Sequence, residues 1–88
     1  MEFEYDPYKS LSNLAKHGID FDEAQRLWDS PTLWFDTKPG TDDHRSLVLG
    51  VIDGKHWTAI VTLRGGRTRI ISVRRSRTTE EATYERNS

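Results

Sequence analysis

The sequence contains no cysteine, which excludes both disulfide pairing and thiolate chemistry. It has no apolar run near the roughly 20 residues needed to cross a bilayer. Its opening, MEFEYD, is acidic and lacks the apolar stretch of a secretion signal. A soluble cytoplasmic protein with no membrane association is therefore expected. A P-loop, a glycine-rich dinucleotide motif, an HExxH zinc motif and a nucleophile elbow are all missing, as are repeats, linkers and low-complexity tracts. One absence is local: between Arg64 and Arg77 no acid occurs, although that stretch holds six arginines.

What remains is a chain of 88 residues, suited to one domain over residues 1–88 with one modest core. Charged residues make up 31% and hydrophobic ones 34%, and three Trp, three Tyr and three Phe supply the large apolar units. The net charge of -1 does not by itself suggest nucleic acid. The distribution does, because most of the acids lie in residues 1–43 and the arginines lie behind them.

Local signals divide the chain. EFEY (2–5) alternates as a short strand. Asp6-Pro7 is a helix start, Lys16 and His17 suit the last turn, and Gly18 is a left-handed cap, so a helix is expected over 7–17. Leu11, Leu14 and Ala15 sit on it at helical spacing. Asp20 with Glu23 opens a second helix bearing Phe21, Ala24, Leu27 and Trp28, which Asp29-Ser30-Pro31 ends. Strands are expected at 32–36, 46–52, 55–64 and 67–75, with a polar loop TKPGTDDH and two-residue turns at Asp53-Gly54 and Gly65-Gly66. Residues 79–87 read as a last helix. The order β-α-α-β-β-β-β-α predicts an α+β fold, an antiparallel sheet with the N-terminal helices packed on one face.

A two-residue turn at Gly65-Gly66 pairs Arg64 with Arg67, Thr62 with Arg69, Ile60 with Ile71, Thr58 with Val73 and His56 with Arg75. Alternation then puts Arg64, Arg67, Arg69, Arg75 and His56 on one face, and Trp57, Ala59, Val61, Leu63, Ile70 and Arg74 on the other. Charges on the open side of a sheet can be a solvated face that discourages edge pairing. Against that, Arg64 and Arg67 are like charges directly opposed, which is mildly destabilising unless an anion lies between them. Guanidinium groups bind phosphate in a bidentate way. A polyanion or an acidic protein partner accounts better for the cluster.

Other residues divide in the same way. His17 is a favourable charge at a helix end or a proton carrier. His44 beside Asp42 and Asp43 is a weak metal signal, and no metal or other cofactor is expected. His56 reads as a surface residue. Trp28, Trp34 and Trp57 read as core anchors.

FEYDPYKSLSNLAKHGIDFDEAQRLWDSP, with its aromatic-Asp-Pro and Lys-His-Gly, resembles the opening of the BrnT-type toxins. RSLVLGVIDGK, VTLRGGRTRIISVRRS and EEATYE continue the resemblance in order over nearly the whole chain. It implies a toxin of a type II toxin–antitoxin system, with a fold similar to RelE-type ribonucleases, that cleaves RNA without a cofactor. It implies as partner a BrnA-like antitoxin with a ribbon-helix-helix DNA-binding domain. That complex represses its own operon, so operator DNA is met only through the antitoxin. Lys16 and His17 match the family's Lys-His. Arg64 matches its Thr-x-Arg position, Arg74 and Arg75 its basic pair, and Glu80 and Tyr84 the Glu and Tyr of its last helix. The chain departs from the family at Thr78-Thr79, where further Lys or Arg is common, and in its acidic pI near 6.3.

Metal-independent RNA cleavage needs a base for the 2′-OH, an acid for the leaving 5′ oxygen, and cations for the phosphorane. His17 is the candidate acid or base, and Glu80 or Tyr84 can share that duty. Arg64 and Arg75 are the candidates for the phosphorane charge. Arg74 and Arg77, with Lys16, Arg67 and Arg69, are the candidates for binding flanking RNA. The rival is a non-catalytic module whose basic sheet docks an acidic protein or nucleic acid; a third possibility is a structural domain whose charges only keep it soluble. A fold that separates His17, Glu80 and Tyr84 from Arg64 and Arg75 favours the binding module.

Overall fold

The computed structural model describes residues 1–36 and 45–87. The polar loop, including Asp42, Asp43 and His44, lies outside the described residues. The elements are β1 (Phe3–Glu4), α1 (Pro7–His17), α2 (Phe21–Ala24), β2 (Leu33–Asp36), β3 (Ser46–Ile52), β4 (Lys55–Arg64), β5 (Arg67–Arg75) and α3 (Thr78–Arg86). The caps form where the sequence places them. The Asp6 carboxylate accepts from the Tyr8 N–H at 2.8 Å, Pro7 follows it, and Gly18 closes α1 at φ 79°. Asp20 caps α2 by accepting from the Glu23 N–H at 2.8 Å.

The second helix is shorter than expected, passing into a 3₁₀ turn over Gln25–Asp29. That turn seats Leu27 directly on β3. A Cβ at Gly50 would lie 2.8 Å from Leu27 Cγ and Cδ1, so only glycine permits this approach.

The five strands form one sheet in the order β1-β5-β4-β3-β2. The neighbours β2–β3, β3–β4 and β4–β5 are antiparallel, but β1 lies parallel to β5 through Phe3↔Thr68 and Glu4↔Arg69. The sheet is therefore mixed rather than purely antiparallel. Short turns impose antiparallel pairing on β3–β4 and β4–β5; β1 and β5 are joined through the rest of the fold, so no turn fixes their direction. Both two-residue turns carry positive φ at both positions, 50° and 77° at Asp53-Gly54 and 57° and 81° at Gly65-Gly66, the geometry that suits strand twist.

Ile19, Phe21, Ala24 and Leu27 pack with Val48, Ala59, Val61, Ile70 and Val73 to form the core. Trp57 joins it, 9% exposed, and Trp28 packs against it; Trp34 does not, being 36% exposed with its Nε1 donating to Thr32 Oγ1. The expectation of three tryptophan anchors is corrected at Trp34, which sits on the edge strand and meets the Trp28 ring edge-on.

The β4–β5 register holds from Arg64↔Arg67 to Val61↔Ile70 and then shifts, so that Ile60 pairs with Ser72, Thr58 with Arg74 and Trp57 with Arg75. The irregularity adds one residue to β5, a bulge that exchanges the faces beyond it. Val73 therefore enters the core, Arg75 lies beside Trp57, and Arg74 joins the face of Thr58. The expected pairs Ile60–Ile71, Thr58–Val73 and His56–Arg75 are corrected by this one residue.

α1 inverts the expected pattern. Its buried residues are Ser10 and Asn13, whereas Tyr8, Leu11 and Leu14 are 82%, 64% and 45% exposed. Ser10 Oγ accepts from the Phe21 N–H at 2.9 Å. The Asn13 amide donates to the carbonyls of Val73 and Ile19 at 2.9 and 2.8 Å and accepts from the Val73 N–H at 3.1 Å. β1 is only two residues long and covers β5 at Thr68 and Arg69 alone. Further along, the Asn13 side chain stands in for the missing strand.

Candidate functional site

Two groups of candidate residues lie at opposite ends of the β4–β5 ribbon. At the Gly65-Gly66 end, Lys9 of α1, Arg45, Thr62, Leu63, Arg64, Arg69 and Ile71 line an open cleft of about 410 Å³. Four of the seven are cations. Arg69 is held by Glu4 at 2.8 Å, and nearby Arg67 meets Glu2 at 3.3 Å. Among the described residues, no ion pair engages Lys9 or Arg64. Among the described residues the lining holds no histidine, tyrosine or carboxyl group. These residues can hold phosphate oxygens, but none of them is a proton carrier.

Arg75 stands at the other end, paired with Trp57, seven residues along β4 from Arg64. At about 3.3 Å per residue the two arginines are roughly 23 Å apart, and the bulge turns them to opposite faces. They cannot share one phosphorane. The Arg75 guanidinium lies 5.4 Å from the centre of the Trp57 ring, and its Nε donates to the His56 carbonyl at 3.1 Å. α1 runs alongside β5 with Asn13 at the level of Val73. One more helical turn, about 5 Å, brings the exposed Lys16 and His17 to the Arg75 end. Gly18 lines a shallow cleft with Trp57 there.

On the face opposite the core, α3 is tied down by charge. Arg74 meets Glu80 through two parallel bonds of 2.8 Å. The Glu80 carboxylate also accepts from the Arg77 N–H at 2.7 Å and from Thr58 Oγ1 at 3.1 Å. The Arg74 bonds first, then the Arg77 N–H and Thr58, hold the Glu80 pKa down at about 2 against the opposing effect of burial. Glu80 raises Arg74 in return. Glu80 is thus a carboxylate held by four donors, and Arg74 is a neutralised cation. Arg77 precedes α3 as its N-cap residue.

Beside them His56 Nε2 lies 2.9 Å from the Glu85 carboxylate, with its side chain 15% exposed. The Tyr84 ring meets the imidazole edge-on at 5.6 Å, and its hydroxyl donates to the Pro31 carbonyl at 2.8 Å. His56 is therefore not the surface residue expected. Its partner is supplied 29 positions later in the chain, by a helix whose position is not encoded near residue 56. The fold brings His17, Lys16 and Arg75 to one end, with His56, Tyr84 and Glu80 on the other side of the same end. It leaves Arg64, Arg67 and Arg69 at the far end.

Among the described residues no three His, Cys, Asp or Glu side chains gather where a metal ion could sit, and no helix is long and apolar enough to cross a membrane. The sequence pattern of the family described as "Ribonuclease toxin, BrnT, of type II toxin-antitoxin system" matches residues 5–80, most of the chain. No curated protein matches it.

Proposed function

From a chain that belongs to the BrnT family of ribonuclease toxins of type II toxin–antitoxin systems, we propose an endoribonuclease that cuts RNA without a metal ion, binding it at one end of the β4–β5 ribbon and cleaving it at the other. The observation that carries this reading is the cleft lined by Lys9, Arg45, Arg64 and Arg69, four cations gathered at one place in a chain of net negative charge. Arg64 and Arg69 hold the backbone of an extended strand there, with Arg67 at the rim. Several nucleotides along, Arg75 meets the scissile phosphate, with Lys16 and Arg77 on its flanks.

Two histidines are within the architecture of that end. His17 is exposed at the close of α1. His56 has one ring nitrogen against Glu85, which fixes the ring and leaves the other nitrogen as a base. The base takes the 2′-OH proton, the 2′ oxygen bonds to phosphorus, and the 5′ oxygen departs and takes a proton from the acid. The Arg75 guanidinium offsets the charge on the phosphorane. Glu80 and Tyr84 serve this reading as positioning residues, because Arg74 and Pro31 already engage them. Growth inhibition, a RelE-type fold over one domain at residues 1–88, a BrnA-like ribbon-helix-helix antitoxin that carries the complex to operator DNA, and a cytoplasmic location belong to the same proposal.

A second reading, a non-catalytic module, draws on the separation of Arg64 from His17 and His56. Labelled single-stranded RNA in EDTA distinguishes the two. Arg64→Ala raises KM and leaves kcat nearly unchanged, whereas Arg75→Ala lowers kcat by roughly 10²–10³. Products carry 2′,3′-cyclic phosphate ends. Binding of several RNAs without cleavage by the wild type replaces this proposal with the binding module.

A further inference from the structure

We infer that the outward face of α1 is the seat of an amphipathic, acid-bearing helix of the antitoxin, which reaches from there into the basic cleft. This rests on the toxin reading above, and it adds the surface on which neutralisation takes place.

Tyr8, Leu11 and Leu14 lie three residues apart, so they form one stripe along an 11-residue helix. They are 82%, 64% and 45% exposed, and the helix is fixed by its polar side, through Ser10 to the start of α2 and through Asn13 to β5. Such a contiguous apolar patch marks a protein contact. The stripe also leads somewhere. Lys9, on the same helix, lines the basic cleft together with Leu63, itself 67% exposed. Apolar surface and the cations of the cleft therefore adjoin at the N-terminal end of α1, where Lys9 has no ion pair among the described residues, and Lys16 adds positive charge near its other end.

That combination selects the chemistry of the occupant. A helix with leucine-like side chains at matching spacing covers the stripe, and carboxylates along its edge meet Lys9, Lys16 and the cleft arginines. A second copy of this chain fits poorly, because two α1 faces brought together oppose their own lysines. Covering the stripe and filling the cleft with carboxylates excludes RNA from Arg64 and Arg69 in one binding event.

The probe is the antitoxin encoded in the same operon, purified and titrated against the toxin. Leu11→Ser/Leu14→Ser, both exposed positions outside the proposed RNA-contacting residues, is expected to weaken the complex roughly 100-fold. The same variant keeps its circular dichroism and its cleavage of free RNA. In the wild-type complex, exchange of α1 amide hydrogens slows and RNA no longer competes. Unchanged affinity in the double variant, or unaltered α1 exchange in the complex, overturns the inference. So does self-association of the free toxin that this variant abolishes. A toxin that binds the antitoxin through α1 yet cuts no RNA leaves this surface standing and removes the ribonuclease reading instead.

Discussion

Glu80 is the residue whose apparent chemistry the fold changes most. A carboxylate near arginines in a ribonuclease invites an acid–base role, yet four donors reach this one and its pKa lies near 2. A depressed folded pKa means stability that is fully present above the ordinary glutamate range and lost as pH falls. The wild type is therefore expected to lose stability between about pH 4.5 and 2 as Glu80 protonates. Glu80→Gln is expected to be less stable by about 1–3 kcal/mol at pH 7, with a flatter decline over that acid range. Urea unfolding at a series of pH values checks both; an unchanged acid limb in the variant contradicts the assignment. His56 gives the complementary case. If the Glu85 carboxylate supports it as a base, Glu85→Gln lowers kcat and leaves RNA affinity unmoved, and single-turnover kinetics with saturating enzyme separate the two.

The elements whose ends are decided by neighbours in sequence were legible. Asp6-Pro7 to Gly18 and the two positive-φ turns appear where they were expected, because caps and turns are chosen by side chains within a few positions. What depends on distant partners was not legible. Nothing in RTRIISVRR announces a bulge, and that one residue moved Arg75 away from the face of Arg64. The parallel seat of β1 and the polar underside of α1 have the same origin. Leu11 and Leu14 look like a core stripe until Asn13 is seen occupying the open edge of β5. The measure of that substitute is direct. Asn13→Leu leaves the Val73 N–H and two carbonyls without these partners, and thermal unfolding is expected to report a loss on the order of 3 kcal/mol. A loss below 0.5 kcal/mol, about the size of an ordinary surface change, means that water takes over the role.

Across the whole molecule the charges work by position rather than by sum. A net charge of -1 predicts little affinity for RNA, while the cleft gathers four cations, Lys9, Arg45, Arg64 and Arg69, on one lining. RNA affinity should therefore fall with salt in proportion to the phosphates held, with a slope of log K against log salt of roughly -0.7 per contact. Filter binding of wild type against Arg64→Ala is expected to lose about one contact from that slope. A flat dependence in the wild type removes the cleft from RNA binding. The pairing of an acidic front with a basic rear was visible in the sequence; which arginines remain open was not, since Glu2, Glu4 and Glu80 reach three of them only in the folded chain.

The join between β1 and β5 bears on how the protein is made. Phe3 waits for Thr68, and Asn13 waits for Val73, so the first strand and first helix have no seat until translation has passed the last strand. Contacts of such long separation form late in folding. The hairpin-end cleft needs Lys9 of α1 and Arg69 of β5, some 60 positions further along the chain. A growing chain on the ribosome therefore carries no assembled cleft.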